Sequence, residues 1–132
     1  VKWTKKDIKT MCGALSTFWL YNRPLSGSQN NAAEATRAYR QDRRMNVVIA
    51  GIEELMMIAN SRYDQDLQTA HHYETHPDVM GASTPELVDR FTKFAHEEAK
   101  GVEQGRKLIE RIQTYGLPPE VVAFDPTSAR SY

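Results

Sequence analysis

Apolar side chains recur every three to four residues along most of this chain, and no stretch reads as a strand. In the first segment Ile8, Met11, Cys12, Leu15, Phe18 and Trp19 share one helical face. Thr4 takes the N-cap position and Asp7 the N3 position of a capping box, with Trp3 and Ile8 at the two positions of a hydrophobic staple. Pro24 forces Arg23 out of helical geometry and ends this helix near Tyr21. "NRPLSGSQNN" follows as a loop rich in turn residues.

From residue 32 to 75 no proline occurs and Gly51 is the sole glycine, so nothing forces a stop. Unbroken, such a helix would be about 65 Å long, too long for a compact unit of this size. It therefore breaks, with "RRMN" (43–46) and "NSR" (60–62) as the candidate points, or the protein is an extended assembly subunit. Ile49, Ile52, Met56, Ala59, Tyr63, Ala70 and Tyr73 keep a 3-4 spacing, with Asp66 as the polar intrusion. After "HPDVMGAS" a second long helix opens on Ser83 or Thr84 with Pro85 just inside, and runs to about Tyr115. Its stripe is Phe91, Ala95, Glu98, Val102, Gly105, Ile109 and Ile112, with Gly116 as the C-cap. "EVVAFDPTSARSY" lacks helical periodicity and reads as an extended tail. The pattern predicts an all-α fold: a basic N-terminal helical arm (1–44), an antiparallel helical hairpin or bundle (45–117) and an extended C-terminal tail (118–132).

Composition narrows the class. With 40% hydrophobic and 26% charged residues, full disorder is excluded. Formal net charge is zero, yet residues 1–44 hold nine cations against three anions, and residues 45–132 hold eight against fourteen. That asymmetry suits a polyanion-binding arm on an acidic body, or head-to-tail self-association. Cys12 is the single cysteine, so no intrachain disulfide forms. The longest apolar run, 47–59, carries Glu53 and Glu54 and falls short of the about 18 residues a membrane span needs. No signal peptide, transmembrane segment or membrane partner is expected, which places the chain in a virion or inside a cell. A surface role for 3–21 on anionic lipid is a lesser alternative.

Candidate chemistry is sparse. Glu53-Glu54 and Glu97-Glu98 invite a di-iron reading, but no glutamate has histidine three residues on, so no metal or cofactor is expected. Glu98, inside the apolar stripe, is expected to meet a cation from a neighbour. His72 and His76 have zinc-compatible spacing, with His96 or Glu97 as possible further ligands; the preferred reading is histidines at a helix C-terminus. Gly101 and Gly105 suggest close approach of another backbone. No nucleotide loop and no G-x-S-x-G motif occurs, and no residue is assigned a catalytic role, so an enzyme is not expected.

The cations remain. Arg37, Arg40 and Arg44 lie on one helical face beside Arg43, and Lys2, Lys5, Lys6 and Lys9 crowd the start of the first helix. Arginine's planar fork donates two hydrogen bonds to one phosphate. Together with Arg23, these residues are the candidate nucleic-acid contacts, binding double-stranded DNA in preference and without base reading. The basic helix, the loop, "RAYRQDRR" and the acidic helical part give an architecture that resembles coat proteins of filamentous and rod-shaped archaeal DNA viruses. That resemblance implies a basic arm wrapped on DNA and a C-terminal helical bundle. The expected function is a structural, coat-like packaging protein that self-assembles into a homo- or hetero-oligomer. The alternatives are an oligomeric interaction module (a phage connector or regulator) without nucleic acid, and a helical metal protein.

Overall fold

A computed structural model describes the backbone of residues 1–19, 33–79 and 81–127, and their side chains except those of 33–42. It is all-α, and the described residues form four helices in the order α1 (Lys5–Phe18), α2 (Ala33–Thr75), α3 (Thr84–Tyr115) and α4 (Pro119–Ala123). A 3₁₀ turn, Gly81–Ser83, precedes α3. Neither "RRMN" nor "NSR" interrupts α2, which is one helix of 43 residues. The residues group into two compact units, Val1–Glu53 with Leu108–Tyr132, and Glu54–Lys107. These units run across the expected boundaries after residues 44 and 117. The apolar face of α1 packs within the first unit.

In that first unit Met11, Ala14 and Leu15 of α1 are buried, as are Val47, Val48 and Ile52 of α2 and Leu108 and Ile112 of α3. Such burial stabilises the unit by about 1.5–3 kcal/mol for each large aliphatic side chain. The approach of α1 to α2 is close at Gly51, where an added Cβ would stand 2.7 Å from Ala14 Cβ and 2.8 Å from the Phe18 ring. The capping box forms as expected: Asp7 N donates to Thr4 Oγ1 at 3.0 Å, and Thr4 N donates to Asp7 Oδ2 at 3.2 Å.

The expected extended tail is corrected. Pro118 has extended backbone, Pro119 opens α4 with its φ already suited to a helix, and Val121 is buried with Pro118 and Pro126. Five residues are too few for an apolar period to register, which is why the segment looks irregular in sequence. Residues 128–132 lie outside the described part.

The second unit is a helical hairpin from the later part of α2 and most of α3. Ala70 and Ala95 are buried, and the Tyr73 and Phe91 rings stack at 6.0 Å, on the stripes that the 3-4 spacing marked out. Thr84 does not cap α3; its buried hydroxyl donates to Pro77 O at 2.9 Å and ties the turn. Gly116 closes α3 as expected: its φ is 78°, and its N–H donates to Ile112 O at 2.8 Å. At Gly101 an added Cβ would meet nothing within 4 Å, so no backbone of the described residues approaches there.

Candidate functional site

The nine cations assigned to phosphate fall into three groups. Arg23 and the side chains of Arg37 and Arg40 lie outside the described residues. Arg43 and Arg44 are turned inward. Arg43 Nη2 donates to Trp19 O at 2.8 Å, with its guanidinium 3.7 Å from the centre of the Trp19 ring. Arg44 Nη1 donates to Val121 O at 3.2 Å and to Phe124 O at 2.5 Å. Each arginine thus serves carbonyls at a helix C-terminus, Arg43 for α1 and Arg44 for α4. A cation there satisfies acceptors left without an intrahelical donor and complements the helix dipole. Both side chains are half-buried.

The third group is the lysines of the N-terminal segment. Lys2, Lys5, Lys6 and Lys9 are all exposed. Asp7, the acid nearest them in the chain, is already engaged. Besides capping α1 it accepts from Arg111 Nη1 at 3.0 Å. Arg111 also donates to Lys2 O at 2.5 Å and lies 4.5 Å from the centre of the Trp3 ring. Asp7 therefore neutralises Arg111, which leaves the local field of α1's first turns positive. Arg111 was not singled out from sequence, since its partners lie 104 and 109 residues away.

Neither metal reading gathers a ligand set. Among the described residues no group of three His, Cys, Asp or Glu comes together to hold an ion. The His72 and His76 rings stack at 4.5 Å, and His76 Nδ1 lies 3.0 Å from His72 O, at the C-terminal end of α2. Glu98 meets a carboxylate instead of a clear cation partner. Its Oε2 is shielded without a hydrogen-bond partner, and Asp66 reaches its carboxyl from α2. Burial first, then the hydrogen bond and charge of Asp66, push the Glu98 carboxyl above its ordinary value, against the pull of Arg62.

In the hairpin unit Leu55, Met57, Ile58, Leu67 and Phe94 remain between 38% and 64% exposed, a large apolar outlay for two helices to leave in water. No helix among the described residues is long and apolar enough to cross a membrane. Comparison with family models, curated proteins and solved structures gives no match to this chain.

Proposed function

We propose that this chain is a non-enzymatic, coat-like packaging protein that holds the phosphate backbone of nucleic acid through its N-terminal lysines and self-associates through its helices. The observation that carries the reading is the lysine cluster. The side chains of Lys2, Lys5 and Lys9 are exposed without an ion-pair or hydrogen-bond partner among the described residues, and Asp7 is occupied by Arg111. Flexible ammonium groups of this kind bind phosphate as point charges and read no bases, which makes sequence-independent duplex DNA the expected partner. Arg23, Arg37 and Arg40 stand as further contacts in this reading; Arg43 and Arg44 leave it, since both are committed to backbone carbonyls. With about six phosphates neutralised, log affinity for duplex DNA falls against log salt with a slope of about −5. Fluorescence anisotropy with a labelled duplex across a salt series measures it, and a slope near zero would remove nucleic acid from the account.

The exposed apolar side chains of the hairpin favour a second reading, an oligomeric interaction module without nucleic acid. Under it, Ile58→Glu lowers the oligomer mass seen by sedimentation velocity in protein free of nucleic acid. An unchanged mass speaks against association through that face.

A further inference from the structure

Along the outer face of α1 runs a groove of about 790 Å³, lined by Lys5, Ile8, Lys9, Cys12, Ser16 and, from beyond α4, Phe124. Its size falls in the range of small-molecule sites, about 300–1,000 Å³. Two features define what it would accept. The lining is mostly apolar, supplied by Ile8, Cys12, Phe124 and the bare backbone of Gly13, where an added Cβ would meet nothing within 4 Å. One end carries Lys5 and Lys9, a single turn apart, neither with a partner among the described residues. The Ser16 hydroxyl donates to Cys12 O at 2.9 Å, which settles a polar group on the lining without a ligand. Glu120 and Arg44 act on Cys12 with opposite sign.

We infer that this groove binds a single-chain anionic amphiphile, such as a long-chain fatty acid, with its carboxylate between Lys5 and Lys9 and its chain laid along Ile8, Cys12, Gly13 and Phe124. From the midpoint of Lys5 and Lys9 to Ser16 the helix advances about 13 Å at 1.5 Å per residue, so the groove covers the carboxylate end of the acyl chain and its tail runs on past Ser16. Burial of the methylenes supplies affinity, and the paired ammonium groups select the charged head and fix its direction. A neutral chain of equal length gains the first without the second. The inference does not rest on nucleic-acid binding.

Cys12 is the chain's single cysteine and lines the groove, so its reaction with a thiol-specific disulfide reagent reports occupancy directly. The experiment uses the full chain with oleate below its aggregation concentration, oleyl alcohol as the neutral control, and vesicles of anionic phospholipid as a third arm. Oleate at saturation slows Cys12 modification about ten-fold, and oleyl alcohol at equal concentration does so far less. Lys5→Glu with Lys9→Glu raises the half-saturating oleate concentration about ten-fold or more. Gly13→Leu fills the groove from a position with open space around it, so circular dichroism is unchanged while binding of the fluorescent fatty acid cis-parinarate is lost. Absence of protection by oleate overturns the inference. So does equal protection by oleyl alcohol, or protection by vesicles alone, which would make α1 a membrane-surface helix.

Discussion

Gly51→Ala is a substitution whose sign depends on the packing of α1 against α2. In a helix interior, alanine is favoured over glycine by about 0.8–1.0 kcal/mol, so propensity alone predicts stabilisation. The structure opposes it. The new Cβ would sit 2.7 Å from Ala14 Cβ, 2.8 Å from Phe18 Cδ2 and 3.3 Å from Ala14 Cα. A phenylalanine ring can turn aside, but Ala14 Cβ is fixed to its backbone, so relief requires α1 to move away from α2. Overpacking of this kind costs about 1–3 kcal/mol, which cancels or exceeds the propensity gain and leaves a net loss of up to about 2 kcal/mol. The same substitution at Gly101, where nothing lies within 4 Å, keeps the full gain. Both tryptophans, Trp3 and Trp19, belong to the first unit, so urea unfolding followed by tryptophan fluorescence reads Gly51→Ala there. Circular dichroism reads Gly101→Ala in the hairpin. Ala14→Gly combined with Gly51→Ala restores room and recovers about 1 kcal/mol beyond additivity, because the two sites share one contact. Stabilisation by Gly51→Ala equal to that by Gly101→Ala would falsify the close approach.

Other predictions concern the inward-facing charges. Arg44→Gln removes the donor to Val121 O and Phe124 O, and lowers the stability of the first unit by about 1–3 kcal/mol in urea, as expected for charge-assisted hydrogen bonds. Its effect on the salt slope of DNA binding is nil; a slope reduced by about one unit would return Arg44 to the phosphate contacts. Glu98 makes the hairpin pH-dependent. Because its folded carboxyl is raised, its protonated form contributes stability below the ordinary value of 4.5, and this is lost as pH rises through the raised folded value. Glu98→Gln, uncharged throughout, stabilises the hairpin at neutral pH and flattens that dependence in urea titrations read by circular dichroism. A variant that is less stable than the parent at neutral pH contradicts the paired-carboxylate arrangement.

Much of the fold was legible because its determinants are local and periodic. The stripes of α2 and α3, the Thr4–Asp7 capping box and the stop at Gly116 all lie within a few turns of sequence, and each forms as expected. Gly51 stood out as the sole glycine of a long helix, yet only Ala14 on the facing helix explains it. Arg43 and Arg44 make bonds that the sequence does not announce. Their acceptors are backbone carbonyls 24 to 80 residues away, and a carbonyl carries no mark in the sequence. The acidic intrusions Asp66 and Glu98 were each visible in their stripes; that they meet each other depends on the register of the two helices, which no local pattern encodes. The lysines of α1 were legible as cations. That Lys5 and Lys9 have no partner among the described residues fits with Arg111 drawing Asp7 away, a contact between residues 104 apart.

Nucleic-acid binding by those lysines is the central claim, and the salt dependence of duplex-DNA affinity tests it most directly. The full chain is compared with a variant carrying glutamine at Lys2, Lys5, Lys6 and Lys9. The account predicts a steep slope for the full chain, and a slope shallower by about 3–4 units in the variant with circular dichroism unchanged. Identical slopes for the two proteins, or no binding by the full chain at low salt, would contradict it.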